Sequence, residues 1–301
     1  MRPSPQPPEP PPMLSPTDRR RAFRKHLQGN TCLTPASVSD PLSMRAAQDL
    51  GYEVAMLAGS VASLVVLGAP DIALLTSTEL AEQVRRICRA GDLPLLVDGD
   101  HGYGNALNVR RTIEDIEAAG AAAITIEDTV LPASFGSGAN ATEQRISLPE
   151  LAGKIRAALD ARTDENFTIV GRTSAALSSN PAEALTRQAT LQDAGADAVF
   201  VLGVKTLQDL DPLAKAARVP LIVGSVPPEV TPAQLSERNV RLCLAGHRAY
   251  FDAIAATYER LHQQQVGSTA PAARNSIEPN TLVKQLSLAE RYARWAQKFL
   301  S

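Results

Sequence analysis

The most constraining feature of the sequence is a regular alternation, from about residue 28 onward, of short apolar runs with longer segments of helical periodicity. Most of the short runs are continuously apolar, which is typical of parallel strands covered on both faces. The predicted strands are Cys32–Thr34, Val54–Ala58, Leu95–Asp98, Ala123–Glu127, Thr168–Arg172, Ala198–Leu202, Leu221–Val223 and Arg241–Ala245. Eight strands with helices between them predict an α/β fold, a (β/α)₈ barrel of the TIM type. A doubly wound sheet is the alternative, but no G-x-G-x-x-G follows the first predicted strand.

Three of the intervening segments carry local signals for the start of a helix. Thr76 is followed three residues later by Glu79, and Ser147 by Glu150, so that each pair can form a capping box. Asn180 precedes a proline, which is favoured in the first turn of a helix. These signals place helices between the predicted strands, as the barrel requires.

The chain divides into three parts. Residues 1–20 are rich in proline and are predicted to form a disordered arm, without the apolar core of a signal peptide. Residues 21–263 form the predicted catalytic barrel. Residues 264–301 form a linker and a C-terminal helix, Thr281–Leu300, that either packs on its own barrel or reaches a neighbouring subunit.

Charge and composition exclude several classes of protein. The chain has 30 basic and 32 acidic residues without a long block of one sign, which argues against nucleic-acid binding. Its longest apolar stretch, residues 56–70, is too short and too polar to span a membrane. The three cysteines lie far apart without a C-x-x-C motif, which argues against a zinc knuckle or disulfide framework and favours a reducing, cytoplasmic location.

Polar residues gather where the predicted strands end, at the edge where barrel enzymes carry their active sites. These residues are Ser60, Asp98, Asp100, Glu127, Asp128, Arg172 and His247. The segment from Asp98 to Gly104 places two carboxylates and three glycines around one point, and hard oxygen ligands select Mg²⁺ or Mn²⁺. A polar turn that caps the next helix is the alternative, although carboxylates buried at the end of the next strand would need a cation.

The two cationic candidates each have a structural alternative. Arg172 is either an ion pair at the barrel rim or a bidentate fork for a substrate carboxylate. His247 is either a helix N-terminal residue satisfied by the backbone or a group that acts on a ligand. His101, inside the acidic loop, is expected to shape that loop rather than take part in chemistry.

Several motifs, in this order, resemble the isocitrate lyase/phosphoenolpyruvate mutase superfamily, and within it the oxaloacetate decarboxylase branch. The motifs are Thr34-Pro35-Ala36-Ser37-Val38-Ser39-Asp40-Pro41-Leu42-Ser43, Ala58-Gly59-Ser60, Leu67-Gly68-Ala69-Pro70-Asp71, the segment 98–105, Ile126-Glu127-Asp128-Thr129 and Gly171-Arg172-Thr173. The resemblance spans residues 21–261 and implies a barrel whose C-terminal helix is exchanged between protomers, in a homodimer or a homotetramer.

The resemblance also implies roles for individual residues. Asp98 would anchor Mg²⁺, with Mn²⁺ as an alternative ion, while Asp100 and Glu127 would hold the waters of the metal. Ser60 and the amides after it would bind a substrate carboxylate. The remaining roles fall to Arg172 and His247, which would be catalytic and contact substrate, and to Asp71, which would lie near the site.

The chain departs from its lyase and mutase relatives in ways that favour one reaction. The loop of residues 131–147 lacks the catalytic cysteine of isocitrate lyases, and the strand ending at Leu202 lacks the histidine of the mutases. The resemblance therefore predicts a carboxy-lyase that converts a small 2-oxo dicarboxylate, oxaloacetate or a 3-substituted homologue, to pyruvate and CO₂. The alternative reactions are cleavage of a 2-alkylmalate and the hydrolase or mutase reaction of phosphonopyruvate. A non-catalytic metal-binding barrel is a further alternative.

Overall fold

The computed structural model describes residues 13–136, 144–173, 180–266 and 277–301. Its strands are β1 (Ala36–Ser37), β2 (Ala55–Leu57), β3 (Leu95–Asp98), β4 (Ala123–Glu127), β5 (Thr168–Thr173), β6 (Ala198–Val201), β7 (Leu221–Val223) and β8 (Val240–Cys243). Its helices are α1 (Pro16–Gln28), α2 (Pro41–Asp49), α3 (Gly59–Leu67), α4 (Ser77–Cys88), α5 (Ala106–Ala118), α6 (Leu148–Ala161), α7 (Pro181–Asp193), α8 (Leu207–Ala216), α9 (Pro232–Ser236), α10 (Arg248–Val266), α11 (Pro279–Leu286) and α12 (Ala289–Phe299).

The strands form one parallel sheet in sequence order, β1 to β8, within the described residues. Two hydrogen bonds join its ends: the Leu33 amide donates to the Arg241 carbonyl, and the Cys243 amide donates to the Leu33 carbonyl, each over 2.9 Å. The sheet therefore curls round until its last strand meets the segment before its first. This arrangement confirms the predicted α/β barrel.

The first strand differs from its prediction. It was placed at Cys32–Thr34, but β1 is Ala36–Ser37, and Leu33 contributes only an isolated bridge to β8. The segment changes partner along its length, because Leu33 pairs with β8 whereas Ala36 pairs with Ala55 of β2. A run of apolar residues cannot indicate such a change of partner.

The predicted helix starts are confirmed. Thr76 and Glu79 form a reciprocal capping box at α4. Ser147 caps α6, and Asn180 caps α7 with Pro181 in the first turn. These caps satisfy amide groups that would otherwise lack partners at the helix N-termini.

The N-terminal arm ends earlier than predicted. Helix α1 begins at Pro16, with Ser15 as its cap, so residues 16–20 are helical rather than part of a disordered arm. Arg19 and Arg20 are buried because their guanidinium groups bind backbone carbonyls of the barrel. Residues 1–12 of the predicted arm lie outside the described residues.

The C-terminal segment also differs from its prediction. A single helix over Thr281–Leu300 was expected, but Leu288 has a left-handed backbone (φ 58°) and separates α11 from α12. The predicted boundary at residue 263 falls within α10, and most of the predicted linker, residues 267–276, lies outside the described residues. Among the described helices, none is long and apolar enough to cross a membrane.

Candidate active site

The residues to which the family resemblance assigns roles line two adjoining cavities at the C-terminal edge of the barrel: Ser60, Asp71, Asp98, Asp100, Glu127, Arg172 and His247. The first cavity, of about 180 Å³, is lined by Met56, Ala58, Ser60, Asp71, Asp98, Arg172, Phe200, Leu202, Gly224, Ser225, Leu244, Gly246 and His247. The second, of about 220 Å³, is lined by Asp71, Ala73, Asp100, Glu127, Thr129, Leu131 and Arg172. Asp71 and Arg172 belong to both linings, so the two cavities form one composite site.

Asp98 is the buried carboxylate at the end of β3. Its Oδ1 accepts a hydrogen bond from Thr125 Oγ1 over 2.9 Å, and its Oδ2 accepts one from Arg172 Nη1 over 2.7 Å. Thr125 lies directly opposite Asp98 in the register of β3 and β4, so strand pairing fixes the first of these contacts. Burial opposes ionisation of Asp98, but Arg172 and the Thr125 hydroxyl outweigh it and hold the pKa below its usual value.

Arg172 spans two carboxylates that come from different strands. Its Nη1 binds Asp98, and its Nη2 lies 2.9 Å from Glu127 Oε2. Glu127 is the direct neighbour of Arg172 in the register of β4 and β5. Burial by itself would lower the pKa of the guanidinium. The negative charges of Asp98 and Glu127 outweigh burial and raise the pKa above its usual value, so the group stays protonated.

The guanidinium of Arg172 is held on a third side by an aromatic ring. The centroid of Phe200, on β6, lies 5.5 Å from Arg172 Cζ, within the range of a cation–π interaction. Arg172 Nε is buried and has no hydrogen-bond partner within the described residues. The Nε–H donor of the guanidinium is thus left without a partner while Nη1 and Nη2 bind the two carboxylates.

The loop after β3 adopts an unusual backbone that turns a second carboxylate inward. Asp100 and Tyr103 have positive φ angles of 46° and 62°, a region that non-glycine residues seldom occupy. A Cβ atom on Gly59 would lie 2.5 Å from Asp100 Oδ1, so a larger residue there would displace the Asp100 carboxylate from its present position. Strain of this kind is held in place by surrounding contacts and concentrates at functional sites.

The carboxylates of the second cavity are difficult to ionise. Burial raises the pKa of Asp100 well above its usual value, and the negative charges of Asp98, Asp71 and Glu127 raise it further. Burial also raises the pKa of Glu127, although Arg172 opposes the shift. The composite site therefore has an excess of acidic groups over its single guanidinium among the described lining residues.

The donor set suits a hard divalent cation, which would offset this excess negative charge. Within the described part of the chain, no three His, Cys, Asp or Glu side chains are arranged to coordinate one ion directly. Mg²⁺ commonly keeps several water ligands and takes only one or two carboxylates from the protein. The residues present therefore fit a hydrated ion better than one enclosed by protein ligands.

His247 faces the first cavity from the segment between β8 and α10. Its Nδ1 lies 2.9 Å from Ser37 Oγ of β1. Burial lowers the pKa of the imidazole below 6.5, an effect that Asp98 partly opposes. The ring is therefore mainly neutral at pH 7, with one nitrogen protonated and the other free to accept a hydrogen bond.

Ser60 lies in the first turn of α3, whose N-terminus points to the first cavity. The N-cap residue, Ala58, has no side chain that could bind the first amides of the helix. Uncapped helix N-termini bind anions, because their free amides and the helix dipole both favour negative charge. The first amide, that of Gly59, already donates to Asp98 Oδ2 over 3.4 Å. Ser60 and the amides after it therefore form the part of this N-terminus that suits a carboxylate.

Two further residues of the acidic motifs have structural roles. Asp128 is fully buried and accepts hydrogen bonds from Thr173 Oγ1 over 2.7 Å and Arg187 Nη1 over 3.2 Å, away from both cavities. His101 lines neither cavity, and its carbonyl accepts a hydrogen bond from the buried Lys154 ammonium over 2.9 Å. Its position agrees with the prediction that it shapes the loop.

Three residues that hold the site together were not predicted from the sequence: Ser37, Thr125 and Phe200. Thr125 could have been found from the strand pattern, because residues two apart on β4 point to the same face and Glu127 was already a candidate. Ser37 belongs to the Thr34–Ser43 motif, but nothing in the sequence indicates that it contacts His247. From the sequence, Phe200 cannot be distinguished from the other apolar residues of its buried strand.

Comparison with known proteins shows that the chain is similar to one family of enzymes. A family model described as phosphoenolpyruvate phosphomutase matches residues 23–264. A protein named oxaloacetate decarboxylase from Rhodopseudomonas palustris (strain BisA53) is 50% identical over 271 residues, which cover 90% of this chain and 92% of the relative. Oxaloacetate decarboxylase 1 from Pseudomonas fluorescens (strain Pf0-1) is 46% identical over 290 residues, covering 96% and 98%.

The solved structures similar to this chain include a phosphonopyruvate hydrolase in complex with oxalate and Mg²⁺. It is 27% identical, and the match covers 94% of this chain and 99% of that chain, with a TM-score of 0.72.

Proposed function

Because the chain belongs to the phosphoenolpyruvate phosphomutase family, we propose that it is a carboxy-lyase that converts oxaloacetate to pyruvate and CO₂. The two relatives described above, which are named oxaloacetate decarboxylase and oxaloacetate decarboxylase 1, are 50% and 46% identical to this chain over nearly their whole length. The substrate class is a small 2-oxo dicarboxylate, either oxaloacetate or a close 3-substituted homologue.

The observation that carries the proposal is the pairing of a carboxylate cradle with a histidine in one small cavity. The N-terminus of α3 with Ser60 and the imidazole of His247 both line the cavity of about 180 Å³. A 2-oxo dicarboxylate has a carboxylate at each end, and these two features offer one binding group for each. Arg172 lines the same cavity and can face the 2-oxo oxygen, which lies between the two carboxylates of the substrate.

A divalent metal is the proposed cofactor, with Mg²⁺ first and Mn²⁺ as an alternative. Asp98 would bind the ion, while Asp100 and Glu127 would hold its water ligands. When bound, the ion would act as a Lewis acid that stabilises the negative charge developing on the 2-oxo oxygen. The excess of buried carboxylates supports this assignment, because an ion of charge +2 would lower the cost of keeping them ionised.

Side chains and backbone amides of the chain would bind the substrate and stabilise the negative charge that develops on it. Ser60 and the amides after it in α3 would bind the carboxylate next to the 2-oxo group. Arg172, kept protonated by its two carboxylate partners, would add positive charge near the oxygen that becomes negative as the carbon–carbon bond breaks. His247 would orient the distal carboxylate that leaves as CO₂, and Asp71 would border the substrate from the mouth of both cavities.

The cavity walls favour decarboxylation over the other reactions considered. The large apolar side chains of the first cavity's lining are those of Met56, Phe200, Leu202 and Leu244. Among the described lining residues, His247 is the one histidine, and the loop of residues 131–147 contains neither cysteine nor histidine in its sequence. Loss of CO₂ breaks one carbon–carbon bond and leaves its electron pair in an enolate, which needs no covalent nucleophile. Solvent would supply the proton that converts this enolate to pyruvate.

The location and assembly of the protein are also proposals. Cys32, Cys88 and Cys243 are free thiols, which suits a reducing cytoplasm. We propose a homodimer or homotetramer in which the C-terminal segment packs on a neighbouring protomer, because none of the residues of α12 is buried in the single chain.

The decisive experiment measures pyruvate formation from oxaloacetate with Mg²⁺ and with EDTA, against the uncatalysed background of the metal alone. We expect turnover that requires the metal and falls to background in Asp98→Ala and His247→Ala. Glu82→Ala, which removes an exposed carboxylate paired with Arg86, is the matched control and should keep full activity. Failure of the folded, Mg²⁺-binding protein to turn over oxaloacetate would refute decarboxylation and redirect the search to 2-alkylmalates and phosphonopyruvate.

A further inference from the structure

The imidazole of His247 is supported from outside the cavity by Ser37. Ser37 Oγ lies 2.9 Å from His247 Nδ1, although the two residues are 210 positions apart in the chain. They meet because the barrel closes, which brings the segment after β8 next to β1. This is the one hydrogen bond of the Ser37 hydroxyl among the described residues, so no other acceptor there competes for its proton.

The position of Ser37 determines which nitrogen of the ring can reach a ligand. His247 lines the first cavity, whereas Ser37 does not. Nδ1 is therefore the nitrogen directed at the protein, and Nε2 is the nitrogen left for the cavity. Within the described residues, Nε2 has no protein hydrogen-bond partner.

A neutral imidazole carries one proton, so the partner of one nitrogen dictates the role of the other. If Nδ1 accepts the hydroxyl proton of Ser37, Nε2 is protonated and becomes a donor. If Nδ1 donates to Ser37 instead, Nε2 presents a lone pair, which repels a carboxylate. A carboxylate that contacts Nε2 of the neutral ring therefore requires the first arrangement.

We propose that Ser37 is a positioning residue that donates its hydroxyl proton to His247 Nδ1 and so holds the neutral imidazole in the tautomer whose Nε2–H faces the cavity. The donor at Nε2 then recognises the distal carboxylate of the 2-oxo dicarboxylate. The identity of this ligand rests on the proposed function, whereas the tautomer is a property of the free protein and is tested without substrate.

The tautomer is measured by long-range ¹⁵N–¹H correlation spectra of the ¹⁵N-histidine-labelled protein. The chain has four histidines, and loss of one signal set in His247→Gln assigns the ring of interest. We expect the Nε2–H pattern in the wild type and in Ser37→Thr, which keeps the hydroxyl, and a mixture of tautomers in Ser37→Ala. An Nδ1–H ring or an imidazolium in the wild type at pH 7.5 would overturn the proposal, and so would an unchanged pattern in Ser37→Ala.

Kinetics provide the second readout. Ser37→Ala should raise KM for oxaloacetate about tenfold, the effect of losing one oriented hydrogen bond to a charged group, with a smaller change in kcat. Ser37→Thr should restore the wild-type KM. Ser39→Ala is the matched control, because the Ser39 hydroxyl contacts Asp40 and Ser43 rather than His247.

The two readouts separate this inference from the proposed function. An Nε2–H ring that depends on Ser37, in a protein without decarboxylase activity, would support the positioning role and refute the substrate. Decarboxylase activity with equal KM values in the wild type and Ser37→Ala would support the function and refute the role of Ser37.

Discussion

Arg172 connects more parts of the candidate site than any other side chain described above. Its terminal nitrogens bind carboxylates on β3 and β4, and its flat face packs near the ring of Phe200 on β6. A guanidinium can make these contacts together because its donors form a rigid planar fork. At the residue scale, the site therefore depends on the shape of this group as well as on its charge.

We predict that Arg172→Lys lowers kcat/KM for oxaloacetate about 100-fold, the usual cost of removing one oriented group that stabilises developing negative charge. A lysine ammonium keeps the charge but cannot bind Asp98 and Glu127 in the same geometry. Steady-state kinetics would measure the effect. Arg86→Lys, at an exposed ion pair with Glu82, is the control and should change nothing. A loss below threefold in Arg172→Lys would mean that charge alone suffices.

At the element scale, α1 is the part of the fold that sequence patterns described least well. Its arginines bind groups that precede β3, β4, β5 and β6, at the end of the barrel opposite the active site. Arg20 is the centre of this interface: it donates to the Ala121 carbonyl and to Asp164, and it is also paired with Glu117. The helix therefore closes the bottom of the barrel through ionic and backbone hydrogen bonds.

We expect Arg20→Met to lower the free energy of unfolding by about 3–5 kcal/mol, because it leaves Glu117 and Asp164 without their buried cation. Chemical denaturation measures this loss. The kcat of the folded variant should stay unchanged, since the substitution lies at the far end of the barrel. Arg21→Met removes an exposed arginine of the same helix and serves as the control. A loss below about 1 kcal/mol in Arg20→Met would show that the pair contributes little net stability.

At the scale of the whole molecule, the C-terminal segment is the part that the single chain leaves most exposed. None of the residues of α12 is buried, and both Trp295 and Phe299 are exposed. The Leu300 carbonyl accepts a hydrogen bond from the Gly136 amide, which ties the end of the chain to the loop after β4. Exposed aromatic side chains on one amphipathic helix are typical of an interface between subunits.

We predict that the wild type has two or four times the mass of one chain in light scattering coupled to size exclusion. The double variant Trp295→Asp/Phe299→Asp should shift this mass toward that of a single chain or a smaller assembly. Gln297→Asp/Ser301→Asp adds the same charge at exposed polar positions and should leave the mass unchanged. An equal mass for the aromatic variant and the wild type would exclude α12 as the interface.

The sequence by itself determined the features that depend on local chemistry and periodicity. Continuous apolar runs indicated the strands, and capping residues such as Thr76 indicated where helices begin. Since the carboxyl ends of parallel strands meet at one edge, the order of polar residues along the chain was enough to gather Asp98, Glu127 and Arg172 in one place. All the residues gathered at the strand ends except Asp128 line the two cavities for this reason.

Only the tertiary structure decided which groups touch. The register of neighbouring strands sets Thr125 opposite Asp98 and Glu127 opposite Arg172. Closure of the barrel brings Ser37 to His247, and burial of long arginine side chains makes α1 part of the fold. These contacts join residues tens to hundreds of positions apart. Their free energy depends on distance and burial in the folded chain, which no local pattern of residues contains.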